Sequence, residues 1–408
     1  MTETKNIATG RSGSMFAPTL EAHRDVLTDR IKGARVLAIG AAGSIGANTA
    51  QTIAQFGPAC LHLLDQNENA LAEFIRQFWS MKTPPDIGDL RLLPLDYGAP
   101  VTKAFLSSQE PYDIVLNFAA IKHVRSEKDT FSILQMLDTN IVKQARFLTW
   151  LQETSPNARY FSVSTDKAAN PVSFMGATKR IMEHVLFAPE IAGKQKGGVT
   201  SARFANVAFS NGSILQSFEN RLARREPLAA PEGIRRYFVS LEESGHICTL
   251  ASLLLPNQHI GVPDLDPEQH LVPIKTVATN FLAHHNLDAR TYTSSAEAIA
   301  NLENDAQTGH WPLILTPSDT AGEKPYEEFV AAGESRNDTG LVTIHAVPWA
   351  GLQHGGDIKA LVTALEDLVL GRAPLPSDKL AIKKMLAMIE PEFMSNHIES
   401  AASLDQRA

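Results

Sequence analysis

The sequence predicts an α/β protein, a doubly wound parallel sheet carrying a smaller mixed α/β lobe. Three observations predict it. From Ala34 to Phe204, short β-branched or Leu-rich runs alternate with helix-like stretches, the pattern of parallel strands joined by crossover helices. A Gly40-x-x-Gly43-x-x-Gly46 turn falls directly between the first such run and the first helix-like stretch. After Asn206 the rhythm is lost, and Pro227, Pro231, Pro256, Pro263 and Pro267 punctuate shorter elements.

The elements follow in order. Residues 1–33 read as an N-terminal extension, polar at first and then a helical arm with Leu20, Val26, Leu27 and Ile31 at near-helical spacing. Residues 34–206 read as the first domain. Its strands are expected at Val36–Ile39, Leu61–Leu64, Leu90–Leu95, Ile114–Phe118, Tyr160–Val163 and Ser201–Phe204. Helices are expected near Ile45–Phe56, Glu68–Met81, Val101–Gln109, Phe131–Thr154 and Ala177–Phe187. Residues 207–350 form the smaller lobe, built for a substrate, with some segments free to return to the first domain. Residues 351–408 form a C-terminal helical extension, with helices at Ile358–Leu370 and Leu380–Ile389.

Composition narrows the function. The 408 residues, 44% apolar and 20% charged, are ample for a sizeable core. With 45 acidic and 37 basic side chains the net charge is −8, which offers nucleic acid no attraction. No apolar run approaches the ~20 residues of a membrane span, and the opening MTETKNIATGRSGS contains no apolar signal segment, so a cytoplasmic location is expected. Cys60 and Cys248 are too few for a disulfide framework, and His284-His285 lacks the further ligands of a metal site, so no metal is expected.

The glycine turn is the first specific signal. There the backbone can approach a pyrophosphate while the helix amino terminus supplies N–H donors, from Gly40, Gly43, Ser44, Ile45 and Gly46. The next strand ends in Asp65, 19 positions beyond Gly46, where a carboxylate can accept hydrogen bonds from the adenosine ribose. Strand, turn, helix, strand and acid in that order predict a Rossmann-type dinucleotide site. The carboxylate would repel the extra phosphate of NADP, and Gln66-Asn67 follows instead of an Arg, so NAD is favoured. Asp96-Tyr97 ends the third strand where adenine would lie, although an ordinary turn fits the same spacing.

The spacing of the three glycines is that of extended short-chain dehydrogenase/reductases, and further blocks agree. Asn117-Phe-Ala-Ala-Ile-Lys-His-Val124 resembles that superfamily's loop after the fourth strand, and Thr139-Asn140 its helix Asn. Ser164-Thr-Asp-Lys-Ala-Ala-Asn-Pro171 and Met175-Gly-Ala-Thr-Lys179-Arg resemble the bacterial polysaccharide-biosynthesis nucleotide-sugar 4,6-dehydratases, which act on UDP-N-acetylglucosamine. Asn206-Val, Asn211-Gly-Ser-Ile214, Arg236-Tyr-Phe238 and Gly322-Glu-Lys324-x-Tyr-Glu-Glu328 are similar to the same family's substrate segments. The resemblance covers about residues 34 to 330, and neither terminal extension has a recognised counterpart.

The resemblance implies the chemistry. Ala119, Ala120, Lys122 and Asn140 would lie beside the cofactor, and Lys179 would hold its ribose. Lys167 would be the base at sugar carbon 5 and Asp166 the acid that helps the carbon 6 hydroxyl leave, although on composition alone Thr165 and Asp166 also read as a turn cap. Met175 stands where most of the superfamily has Tyr, as it does in some large membrane-anchored members of the family, and a thioether does no acid–base work. The carbon 4 proton must then pass through Thr165, Asp166 or a water held by Lys179. Met175 would pack near the ring, while Lys122, Asn206, Ser213, Arg236 and Lys324 would meet the nucleotide sugar. His123 is kept outside the catalytic set, and a homo-oligomer is implied. A nucleotide-sugar epimerase or dehydrogenase, or a non-catalytic cofactor-binding homologue, remains the alternative.

Overall fold

A computed structural model of the chain describes residues 6–81, 83–122, 127, 129–193, 195–318 and 322–399. The strands are β1 (Arg35–Ile39), β2 (Cys60–Leu64), β3 (Asp89–Leu93), β4 (Ile114–Asn117), β5 (Arg159–Val163), β6 (Val199–Ala202), β7 (Asn206–Val207), β8 (Leu228–Pro231), β9 (Arg235–Val239), β10 (His259–Pro263), β11 (Leu271–Pro273), β12 (Asp288–Tyr292), β13 (His310–Thr316) and β14 (Ile344–Pro348). Eight of them form one sheet in the order β14-β10-β6-β5-β4-β1-β2-β3, parallel throughout except for β14, which runs antiparallel to β10 at one edge. The order reverses at β1, and a sheet of this kind binds ligands at the strand carboxyl ends beside that reversal. Central strands covered by helices on both faces need no polar alternation, which is why all five residues of β2 are buried.

Two short strands of the smaller lobe's stretch, β10 and β14, thus return to the large sheet. What remains outside it is β11-β9-β7 and β12-β13-β8. These share a core in which Phe218, Phe238, Phe281, Trp311 and Leu313 pack together, with Ile7 of the N-terminal arm against them.

Several boundaries differ from expectation. The third strand stops at Leu93 because the chain turns there, Leu95 N–H bonding back to the Leu93 carbonyl. The sixth spans Val199–Ala202; Arg203 beyond it still bonds its N–H to the Gly261 carbonyl of β10 at 2.9 Å and turns its side chain to a buried ion pair. The helix expected over Phe131–Thr154 contains a π turn at Asp138–Val142 between Thr130–Leu137 and Lys143–Thr154. Its outer face is covered by the C-terminal extension, whose Ile358, Leu361, Leu365, Ile382 and Leu386 pack on Ile133, Leu137, Ile141, Ile181 and Val185. Among the described residues no helix is long and apolar enough to cross a membrane.

Candidate active site

A cleft of about 450 Å³ opens at the carboxyl ends of β1, β4 and β5 and is walled on its far side by the smaller lobe. Its floor at one end is the glycine turn. Gly40 has φ +68, and a Cβ there would stand 2.6 Å from the Ala119 backbone nitrogen. A Cβ on Gly46 would stand 2.3 Å from the Gly40 carbonyl oxygen. Only glycine lets the turn close this tightly, and closing it brings the first turn of the Ser44–Ala54 helix, whose N–H groups have no intrahelical acceptor, against the cleft. That cradle fits a pyrophosphate. Asp65, past the end of β2, accepts from Ala42 N–H at 3.1 Å and Asn67 N–H at 2.9 Å. Each carboxylate oxygen keeps a further acceptor position for a ribose hydroxyl, and Gln66 is exposed beside it. The donor set suits a dinucleotide.

The other end carries the acid–base groups. Thr165 and Lys167 line the cleft, whereas Asp166 is buried behind them. Asp166 Oδ1 accepts from Thr165 Oγ1 at 2.8 Å, Lys167 N–H at 2.9 Å and Lys167 Nζ at 3.1 Å. Ser173 caps the Phe174–Phe187 helix, which presents Met175 and Lys179 to the same cleft one turn apart. Lys179 Nζ donates to the Val163 carbonyl at 2.9 Å and approaches Met182 Sδ at 3.4 Å. Burial pushes its ammonium down to about 8, partly offset by Glu183 one turn on. Two of its three donors are engaged, so one remains for a ligand.

Ala120, Asn206, Ser213 and Arg236 also line the cleft, as does Lys122, which stays exposed while desolvation by the surrounding protein lowers its ammonium pKa. Arg236 Nη1 donates to the carbonyls of Arg235 at 2.9 Å, Lys324 at 2.9 Å and Pro325 at 3.2 Å, which fixes the guanidinium plane. Ser44 Oγ accepts from Asn211 N–H at 2.9 Å, tying the glycine turn to the loop that carries Ser213.

Four of the expected residues turn their side chains to partners within the chain. Tyr97 is buried and gives its hydroxyl to the Thr139 carbonyl, so its side chain belongs to the core. Asp96 accepts from Lys143 Nζ at 2.5 Å and Gly98 N–H at 2.9 Å, which closes the turn at the end of the third strand. Asn140 spends its amide on Ile121 N–H, the Ile121 carbonyl and Thr178 Oγ1, and so positions the loop beside the cleft instead of facing it. Lys324 turns its ammonium to the Asn170 carbonyl and does not line the cleft. Ala119 contributes only as backbone, its N–H bonding to Asn117 Oδ1 at 3.0 Å. His123 lies outside the described residues.

Sequence reasoning missed a buried ion network behind the site. Arg203, fully buried, is held bidentately by Glu183 at 2.7 and 2.6 Å and reaches Glu334 at 2.6 Å. Glu183 also accepts from Ser164 Oγ at 2.6 Å, and Ser164 adjoins Thr165. Glu334 pairs with Arg180 at 2.5 Å. Glu390 accepts from His184 Nε2 at 2.5 Å, while Trp349 Nε1–H at 3.0 Å from Nδ1 fixes the histidine tautomer. Glu127 was missed too; its Oε1 accepts Met175 N–H at 2.9 Å at the start of the lysine helix. No local pattern marks these residues, because their partners lie far away in sequence. Among the described residues one group, Cys60, His62 and Asp89, has metal-ligating side chains close together. It sits at the opposite end of β2, with His62 bonded to Tyr112 at 2.5 Å and Asp89 at 3.0 Å, so both ring nitrogens are already engaged.

Known proteins resemble the chain as follows. A family model described as "Polysaccharide biosynthesis protein" matches residues 36–348. An uncharacterized membrane protein of Methanocaldococcus jannaschii is 30% identical over 234 residues, 57% of this chain and 66% of that protein. A probable polysaccharide biosynthesis protein, EpsC, of Bacillus subtilis is 27% identical over 84% of this chain and 52% of its own length. A UDP-N-acetylglucosamine 4,6-dehydratase (inverting) of Campylobacter jejuni is 27% identical over 52% of this chain and 61% of its own. The chain therefore spans less than two thirds of each of these relatives. Among solved structures, Pen from Bacillus thuringiensis superposes with a TM-score of 0.61 at 18% identity, covering 83% of this chain and 98% of that one. WbmF of Bordetella bronchiseptica, in complex with NAD+ and UDP, superposes with a TM-score of 0.51 at 15% identity, covering 64% and 80%. At these identities the structural likeness speaks for the fold.

Proposed function

Because the chain belongs to the polysaccharide biosynthesis protein family of extended short-chain dehydrogenase/reductases, we propose that it is an NAD-dependent nucleotide-sugar 4,6-dehydratase, with UDP-N-acetylglucosamine as substrate. The observation that carries this reading is the Thr165–Asp166–Lys167 run at the end of β5, opening on the cleft that also holds the glycine turn and Lys179. Gly40, Gly43, Ser44, Ile45, Gly46, Asp65 and Gln66 would hold NAD, with Lys179 on the nicotinamide ribose. When bound, NAD supplies the hydride acceptor that takes hydrogen from sugar carbon 4 and returns it to carbon 6.

The protons are the work of the chain's own residues. Thr165 Oγ1 takes the carbon 4 hydroxyl proton as it passes its own to Asp166 Oδ1, 2.8 Å away. Lys167, as the amine, removes the carbon 5 proton, made acidic by the carbon 4 ketone. Asp166, buried behind Thr165, then returns the acquired proton to Thr165 Oγ1 as that hydroxyl gives the hydrogen it took from the carbon 4 hydroxyl to the carbon 6 hydroxyl, which leaves as water, and Lys167 returns a proton to carbon 5. The balance closes: the departing water holds the carbon 6 oxygen and the hydrogen first removed from the carbon 4 hydroxyl. No phenol is required, which is how Met175 can stand where a Tyr is usual. Arg236, anchored through Nη1, would offer Nη2 to the diphosphate, and Asn206 and Ser213 would meet the rest of the substrate.

The test is mass spectrometry of UDP-N-acetylglucosamine after incubation with the protein and NAD in deuterated water. Loss of water with one deuteron gained at carbon 5 is expected. An isomerised sugar that keeps its water would make the protein an epimerase, and unchanged sugar without deuterium would overturn the reading for this substrate.

A further inference from the structure

Ser44 is the first residue of the Ser44–Ala54 helix, where the glycine turn meets the cleft, and a hydroxyl there brings one proton and two lone pairs. One lone pair accepts from Asn211 N–H at 2.9 Å, on the loop of the smaller lobe that leads to Ser213. Among the described residues the proton goes to no acceptor. It is carried beside the free N–H groups of the helix's first turn, the donors that a dinucleotide pyrophosphate would meet. A single hydroxyl therefore stands between the cofactor end of the cleft and the substrate loop.

The rest of that wall is already fixed. The Ser44–Ala54 helix lies against the Leu241–Leu254 helix so closely that a Cβ on Gly245 would stand 2.7 Å from the Asn48 carbonyl oxygen. The second helix continues directly from β9, whose Arg236 and Phe238 line the cleft, so these two side chains are built onto the glycine turn's own frame. The Asn211 loop is held more lightly. Asn211 and Gly212 are exposed, and the loop's internal bonds are short-range: Ser210 N–H to the Val207 carbonyl at 3.2 Å, Ser213 N–H to the Ser210 carbonyl at 2.9 Å, and Gly212 N–H to Gln216 Oε1 at 2.6 Å. Ser213 then caps the Ile214–Ala223 helix, and both Ser213 and Ile214 line the cleft. The bond from Asn211 to Ser44 sets where this part of the wall stands relative to the glycine turn.

We propose that Ser44 is a positioning residue that couples the two ligands: with its proton on the cofactor's pyrophosphate, it holds the Asn211–Ser213 loop for the nucleotide sugar, so that each ligand tightens the other. This rests on the nucleotide-sugar reading of the cleft. An anion that accepts the proton fixes the hydroxyl's rotation with a lone pair toward Asn211 and makes its oxygen a better acceptor. By linkage, a loop held by bound substrate favours the same hydroxyl orientation and so the cofactor.

The experiment is calorimetry on the full chain with UDP as the probe, first free of cofactor and then saturated with NAD; UDP lacks the sugar, so nothing turns over. NAD is expected to tighten UDP binding about five-fold or more, and UDP to tighten NAD by the same factor. In S44A the UDP affinities with and without NAD are expected to converge, whereas S44T, which keeps the hydroxyl, is expected to retain the difference. A Ser44 that serves only the fold or only the cofactor would leave S44A with weaker NAD binding and the wild-type ratio of UDP affinities. That result overturns the proposal, and so does an unmodified chain whose UDP affinity ignores NAD. If S44A does not fold, S44G gives the same readout. UDP that binds neither with nor without NAD would instead overturn the nucleotide-sugar reading, so the two failures are distinguishable.

Discussion

Replacing Thr165 with Val tests the proton relay at the point where the chain departs from its superfamily. The substitution removes one hydroxyl and keeps the shape. Thr165 lies in extended backbone at φ −148 and ψ 156, which a β-branched Val adopts readily. Asp166 Oδ1 loses the donor at 2.8 Å but keeps the Lys167 N–H at 2.9 Å and Nζ at 3.1 Å, so no buried acceptor is orphaned. One hydrogen bond to a carboxylate lost is worth about 1.5–3 kcal/mol of stability, which leaves the protein folded with its NAD affinity intact. Catalysis is another matter. A positioned general base contributes about 10²- to 10⁴-fold, or about 3 to 5 kcal/mol of barrier. Single-turnover absorbance of the reduced cofactor reads carbon 4 oxidation directly, and it is expected to slow by that factor, with thermal melting and NAD titration as controls. A folded, NAD-binding T165V that oxidises carbon 4 at the wild-type rate would refute the relay and move the proton path to a water held by Lys179.

Three further outcomes are expected. Gly46→Ala sets a Cβ 2.3 Å from the Gly40 carbonyl and 3.0 Å from Ala41 Cα, both backbone and unable to yield; overpacking of about 1–3 kcal/mol should weaken NAD binding by calorimetry about one to two orders of magnitude, and wild-type affinity would contradict the cradle. Burial alone would raise Glu334, but the hydrogen bonds and charge of Arg203, with Arg180, hold it down at about 2. Its stabilisation is therefore complete above the ordinary carboxylate pKa of about 4.3 and is lost as pH falls from there toward about 2, so E334Q should flatten the acid limb of the urea-unfolding profile. Leu365→Ala, at a fully buried position between the C-terminal extension and the Thr130–Leu137 helix with its π turn, should cost about 2–5 kcal/mol in urea unfolding; a smaller loss would mean that the extension is not packed there.

What could be read from the sequence was local. The β1 strand, the glycine turn, the Ser44 helix and Asp65 follow one another within a single βαβ unit, and each leaves a short-range mark: an apolar run, a backbone that tolerates no Cβ, a carboxylate at a strand end. The same holds for Met175 and Lys179, one turn apart on one helix. Residues whose role depends on distant partners left no such mark. Tyr97 and Asp96 have the spacing of adenine contacts, yet Thr139 and Lys143, on a crossover helix more than forty positions away, claim them. Asn140 matches a superfamily position but acts through Ile121, because the π turn at Asp138–Val142 aims its amide at that loop. Arg203 sits at the end of a strand like any surface Arg in sequence, and only Glu183 and Glu334, 20 and 131 positions away, make its burial tolerable.

The terminal extensions are bonded to the walls of the cleft. The family match stops at residues 36 and 348, so both extensions lie outside it, yet each is bonded to a wall of the cleft. Arg11 donates to the Phe238 carbonyl at 2.9 Å and pairs with Glu243 at 2.7 Å, and Phe238 lines the cleft. At the other end, Ile398 gives its N–H to the Val172 carbonyl at 3.0 Å and accepts from Gly322 N–H at 3.0 Å. Val172 follows closely on Lys167, and Gly322 opens the segment that runs to Glu327. One residue of the C-terminal stretch therefore joins the loop carrying Lys167 to the loop carrying Glu327, whose Oε1 lies 3.8 Å from the Lys167 ammonium. Because charge interaction changes steeply over these few ångströms, the spacing of Lys167 and Glu327 depends on a segment that shares no motif with either. The extensions are thus part of the frame around the cleft, and sequence change in them should reach it through Val172, Gly322 and Phe238 before it reaches the sheet.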